Sequence, residues 1–106
     1  SISGTWRQQG AKITGEASGD YFGYSVSISA SGDTIVVGAP YANSQRGYAK
    51  VYKNISGTWT QQGAKITGEA GNDNFGNSVS ISASGDTIVV GAYGANSQRG
   101  YAKVYK

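Results

Sequence analysis

The 106-residue chain has no cysteine, no histidine, no methionine and a single proline, Pro40. Without cysteine there is neither a disulfide frame nor a thiolate nucleophile. Without histidine there is no imidazole base and no ligand set suited to zinc or copper. Chemistry would have to run on carboxylates, hydroxyls or lysines, and acidic groups are scarce as well: 6 Asp and Glu against 9 Lys and Arg. The resulting charge of +3 is too small to argue for a nucleic-acid partner. Apolar runs are short. Residues 35–39 form one of the longest, far below the roughly 18 residues of a membrane span, and no charged-then-apolar leader opens the chain. The expectation is a soluble, non-enzymatic chain that uses no cofactor and touches neither membrane nor nucleic acid.

What the chain does have is 17 glycines and an internal repeat. Residues 1–53 align with 54–106 without a gap. The copies differ at eight positions: Ser1/Asn54, Arg7/Thr60, Ser18/Gly71, Gly19/Asn72, Tyr21/Asn74, Tyr24/Asn77, Pro40/Tyr93 and Tyr41/Gly94. Such near-identity points to an engineered or recently duplicated fragment. Within a copy the hydrophobic period is 2, and Val, Ile, Thr, Tyr and Trp gather between Gly-rich breaks, the mark of short antiparallel strands. Four strands per copy are expected, at residues 5–13, 23–29, 34–39 and 48–53, with equivalents one repeat on and no helix. Ala30-Ser31-Gly32-Asp33 reads as a tight hairpin turn, because Gly and Asp tolerate positive φ. Residues 40–47 form a longer polar loop, and Gly38-Ala39 with Gly91-Ala92 mark places where a neighbouring sheet presses closely. Four short strands in a repeated unit of this size give an all-β propeller of four-stranded antiparallel blades. Each chain then carries two blades, repeat 1 at 1–53 and repeat 2 at 54–106.

Gly19-Asp20-Tyr21-Phe22-Gly23-Tyr24-Ser25-Val26, Gly32-Asp33-Thr34-Ile35-Val36-Val37-Gly38-Ala39-Pro40, Gly47-Tyr48-Ala49-Lys50-Val51-Tyr52 and residues 59–66 span nearly the whole unit. Together they resemble the FG-GAP repeats of integrin α-chain propellers and, more closely, their bacterial relatives. Repeat 2 keeps Asp73-Asn74-Phe75-Gly76 and Gly91-Ala92 but has Tyr93 where repeat 1 has proline. The resemblance implies that residues 23–29 form the innermost strand of a blade and residues 5–13 an outermost one, and that relatives work outside the cell or at its surface. For many members it also implies a calcium site in the loop between the first two strands of the blade. Here that loop holds one carboxylate, Asp33 or Asp86, whereas a hard cation takes about six to eight oxygens. No metal is expected there.

Two blades would leave apolar faces and strand edges open to water, so assembly into a closed ring of identical chains is expected. The first outermost strand precedes any blade of its own chain. Its residues Thr5, Trp6, Gln8 and Ile13 are therefore expected to pair with Tyr101, Val104 and Tyr105 of a neighbouring copy, an exchange of the N-terminal strand. Closed rings then contain eight blades as a homotetramer or six as a homotrimer. Six of the eight differing positions fall at or near one loop face, which carries Tyr21, Tyr24, Tyr41 and Tyr93 with Arg46 and Arg99, a composition suited to stacking a sugar or holding a peptide. The first reading is thus a self-assembling propeller scaffold, and the alternative a carbohydrate- or protein-binding module of the lectin or adhesion kind. Glu16, Asp20, Glu69 and Asp73 are read as turn caps or partners of Lys12 and Lys65. Lys50, Lys53, Lys103 and Lys106 are read as solvated charges that discourage edge pairing, and Trp6 and Trp59 as packing residues of an outer strand.

Overall fold

The computed structural model describes residues 4–106, so that Ser1, one of the eight differing positions, lies outside the described residues. The chain folds into two antiparallel sheets. Strands β1 (Ser25–Ile28), β2 (Thr34–Ala39), β3 (Tyr48–Ile55), β4 (Thr58–Gln61) and β5 (Ile66–Thr67) make the first. Strands β6 (Phe75–Ile81), β7 (Ile88–Ala92) and β8 (Tyr101–Tyr105) make the second. β2 matches its expected span, and the other paired strands lie within two residues or so of theirs, because β-branched and aromatic residues alternate between turn glycines. The outer strand of the first sheet is broken in two. β4 and β5 both pair with β3, and between Gln61 and Ile66 the outer strand uses two more residues than β3 does, with Gly63 at φ +73° absorbing the excess.

Three expectations are corrected. Residues 5–13 were expected as a strand, yet they form none: they run beside the first sheet, where the Trp59 indole N–H donates to the Gln9 carbonyl at 2.8 Å. Their ladder partner would be an edge like that of β3, and β3 is already taken by β4 and β5 of the same chain. The polar loops are not without helical turns either, since one-turn segments α1 (Ala42–Gln45) and α2 (Ala95–Gln98) follow β2 and β7. Both run largely left-handed: Asn43, Ser44 and Gln45 have φ of 53°, 58° and 65°, and Asn96, Ser97 and Gln98 have 52°, 57° and 74°. Finally, Lys50 is not a solvated charge. Its side chain is 12% exposed and its ammonium lies 2.9 Å from Glu16.

The core lies between the sheets. Val36 and Ala49 of the first sheet, both fully buried, meet Phe75, Ile88, Val90 and Ala92 of the second, flanked by Val51, Ile66, Val79, Ile81, Tyr101 and Tyr105. The back of sheet one therefore packs on the front of sheet two, as successive blades do. A tight approach needs Gly38, where a Cβ would overlap the Gly76 carbonyl oxygen and come within 2.5 Å of the Ser25 hydroxyl. That hydroxyl donates to the same carbonyl at 2.7 Å, which fixes β1 against β6.

Candidate functional site

The junction between the repeats is built by main-chain groups. The left-handed turn α1 turns the carbonyls of Ser44, Gln45, Arg46 and Gly47 toward repeat 2, where they accept from the amides of Asn72 (3.1 Å), Asn74 (2.7 Å), Phe75 (3.1 Å) and Gly68 (3.1 Å). Left-handed backbone costs a non-Gly residue about 1–2 kcal/mol; both turns adopt it, and in α1 the carbonyls of Ser44 and Gln45 are tied to repeat 2 while that of Asn43 accepts from the Arg46 amide. The Arg46 guanidinium adds two bonds to the carbonyls of Gly68 (3.2 Å) and Glu69 (2.8 Å). At the other end of the sheets Ala30 donates to the Ala83 carbonyl at 3.1 Å. Sequence reasoning placed Arg46 on a ligand-facing loop. The structure places it in the seam between blades, with the exposed Arg99 at the same position of repeat 2. The turn itself was missed, although Asn43 and Gly47, residue types that tolerate positive φ, frame it.

The four tyrosines expected on one face do come together. The Tyr21 ring lies 4.7 Å from Tyr41 and 6.5 Å from Tyr24, and Tyr24 lies 6.2 Å from Tyr41. Tyr93 stands beside Tyr41 and, by the repulsion between the two phenolates with a smaller contribution from burial, pushes the Tyr41 phenol above its ordinary value. Next to the cluster an open groove of about 920 Å³ is lined by Asn72, Asn74, Tyr93, Asn96 and Gln98 among others. Of the residues expected at chain closure, Trp6 is 86% exposed and Val104 69%. Thr5 and Gln8 are exposed, whereas Ile13, Tyr101 and Tyr105 are half-buried.

The carboxylates hold the loops in shape. Glu16 bridges Lys50 and Lys65 at 2.9 and 2.8 Å, and these bonds, Lys65 first, hold its carboxyl below the ordinary range against a small opposing effect of burial. Glu69 pairs with Lys103 at 2.6 Å. The ion partners are thus Lys50, Lys65 and Lys103, and Lys12 of the expectation takes no part among the described residues. Asp73 is buried and its Oδ2 accepts from the Glu69 amide (3.1 Å), the Ala70 amide (3.0 Å) and the Tyr101 hydroxyl (2.9 Å). Burial raises the Tyr101 phenol, as it does that of Tyr48.

The calcium expected of many relatives can be tested against the hairpin turns. Asp33 Oδ1 accepts from the hydroxyls of Ser31 (2.7 Å), Thr34 (3.0 Å) and Ser29 (3.3 Å). Asp86 is held in the same way by Ser84, Thr87 and Ser82. These bonds, the serine at the turn first, keep both carboxyls below the usual value. One carboxylate whose lone pairs already serve three hydroxyls does not fit a cation that takes about six to eight oxygens. Among the described residues no three acidic side chains gather elsewhere.

The two-sheet, two-turn pattern agrees with the comparisons. A family model described as FG-GAP repeat matches residues 6–52 and again residues 59–105. A comparison with curated proteins gives no match. With two tandem matches that span nearly all of an all-β, antiparallel chain, this protein belongs to the FG-GAP repeat family and is a β-propeller-type module.

Proposed function

We propose that the chain is a non-enzymatic, self-assembling propeller scaffold in which residues 1–53 and 54–106 each give one repeat of a ring closed by further copies of the same chain. The observation that carries this reading is a mismatch between the two sheets. The first has its fourth strand, supplied by β4 and β5 from the start of repeat 2, whereas the second stops at β8 with three. The missing strand's counterpart, residues 5–13, lies unpaired at the far end of the chain. Strand exchange with a neighbouring copy satisfies both ends at once and removes the open edges that invite aggregation.

The free faces support the same reading. Val26 and Ile28 are 64% and 57% exposed, while their counterparts Val79 and Ile81 pack in the core between the sheets. On the opposite side Val89 is 37% exposed where Val36 is fully buried, and Ala102 is exposed where Ala49 is buried. Val26, Ile28, Val89 and Ala102, left open on the front of repeat 1 or the back of repeat 2, thus each have a twin that is covered at the internal junction. The polar groups follow suit. The carbonyls of Ser97, Gln98, Arg99 and Gly100 and the amides of Gly15, Gly19, Tyr21 and Phe22 stand where the internal junction makes its four bonds, and among the described residues they have no such partner in the chain.

Native mass spectrometry against the 10.9 kDa chain tests the proposal. Four copies or three are the expected masses, for eight or six blades, and a folded monomer at all concentrations would refute it. A second reading, a carbohydrate- or protein-binding face, draws on the open groove beside Tyr93. A glycan and peptide screen with the Tyr41→Ala chain as control checks it, and absence of any hit removes it.

A further inference from the structure

In such a ring the two kinds of junction would not be chemically alike, because the sequence differences between the repeats lie on them. Inside the chain the junction carries an amide. Asn74, 6% exposed, donates its Nδ2 to the Pro40 carbonyl at 3.2 Å. Asn72 and Asn74 also require Gly94 beside them, where a Cβ would overlap the Asn72 carbonyl and reach within 2.9 Å of Asn74 Oδ1. Between copies, repeat equivalence puts other residues at these places: Tyr21 for Asn74, Tyr24 for Asn77, Tyr41 for Gly94 and Tyr93 for Pro40.

Tyr21 is locally the poorer choice. Its φ is +62°, close to the +56° of Asn74, and the left-handed region suits Asn far better than a bulky aromatic. It is also 59% exposed, with Tyr24 at 56%, in a cluster whose rings have no counterpart in repeat 2. A strained, exposed aromatic kept where the sister repeat holds a buried amide points to a task outside the isolated chain.

We propose that Tyr21, Tyr24 and Tyr41 form the anchor of the junction between chains, receiving Tyr93 and the left-handed turn at Asn96, Ser97 and Gln98 of the preceding copy. This rests on the ring reading above. The physical reason is the difference between a tethered and a free contact. The junction inside the chain is held at high effective concentration by the covalent link. The junction between chains has no such help and loses translational and rotational freedom when it forms. Tyrosine offsets that loss well, since it covers a large area while ordering only two side-chain torsions, and it is enriched among the residues that dominate interface energies. The occupant is a second copy because the contact continues the internal junction in register: the amides of Gly19 and Tyr21 stand where those of Asn72 and Asn74 meet the carbonyls of Ser44 and Gln45.

The test is the double variant Tyr21→Asn/Tyr24→Asn, which introduces residues that repeat 2 already carries at the same places. A dilution series read by mass photometry, with thermal unfolding of the same samples by circular dichroism, is expected to show a folded chain whose half-assembly concentration rises at least tenfold. An unchanged dilution profile with unchanged unfolding overturns the anchor while leaving the ring intact. So does an unchanged ring that binds chito- or manno-oligosaccharides and loses them in the variant, which would make the cluster a ligand platform. If the unsubstituted chain never assembles, the ring and its anchor fail together.

Discussion

A methyl group added at two equivalent glycines should have two different effects. In Gly38→Ala the new Cβ is driven into the Gly76 carbonyl, main-chain atoms that β6 holds in place, and within 2.5 Å of the Ser25 hydroxyl. The carbonyl cannot move without separating the sheets, and the hydroxyl can rotate away only by giving up its bond to that carbonyl. Overpacking of this kind costs about 1–3 kcal/mol, and losing the bond from Ser25 to Gly76 adds about 1 kcal/mol. For a domain of this length about 3 kcal/mol lowers the melting temperature by roughly 12–24 °C. In Gly91→Ala the closest atom is the Ser78 hydroxyl, the end of a rotatable side chain, so the single chain should lose less than about 1 kcal/mol. In the proposed ring, however, that methyl would occupy the place where repeat equivalence puts the Gly23 carbonyl of the next copy. Thermal unfolding by circular dichroism should therefore show Gly38→Ala strongly destabilised, and native mass spectrometry should show Gly91→Ala folded but unassembled. Wild-type assembly by Gly91→Ala would refute the equivalence of the two junctions, and an unaltered melting temperature in Gly38→Ala would refute the blade packing itself.

Asp73→Ala should destabilise the chain by about 3–5 kcal/mol, because three donors lose one charged, buried acceptor, and urea unfolding measures it. Arg99→Ala is expected to leave the unfolding midpoint within about 0.5 kcal/mol of the parent while weakening assembly, whereas Arg46→Ala, which removes two bonds inside the chain, should lower the midpoint itself; a paired urea titration and dilution series separates them. Glu16 sets a pH dependence. Its carboxyl is held low by Lys65 and Lys50, so its contribution is complete above the unfolded-state value of about 4.3 and is lost as the pH falls through the lower folded value. Glu16→Gln should flatten the acid limb of a melting-temperature profile, and an identical limb in the variant would remove the ion pairs from the account.

Much of this chain could be read from its letters. The alternation in Thr34-Ile35-Val36-Val37 and the glycines around it specify short strands over a few residues, which is the range on which propensity and turn chemistry act. Repetition then doubled every inference, so that one blade implied the next, and Gly38 announced a close neighbour because no side chain but hydrogen fits that approach. The candidate face was legible as well, because alternating strand direction puts the loops that carry Tyr21, Tyr24 and Tyr41 at one end of the sheet, although the ring-to-ring packing was not.

Tertiary contact decided the rest. Ser44 and Gln45 are not residue types that favour left-handed backbone, and the amides of Asn72 and Asn74 that donate to their carbonyls come from the other repeat, a contact no local pattern announces. Lys50 reads as a strand-edge charge, yet folding brings Glu16 from a distant loop to cover it. Residues 5–13 have every mark of a strand but enter no sheet, since strand pairing is a property of two segments and the edge they would join, that of β3, is taken by β4 and β5. The sequence by itself thus determined the repeat, most of the strands and the family, whereas which faces are sealed and which remain open was decided by how the two repeats pack, because burial is a property of two surfaces together.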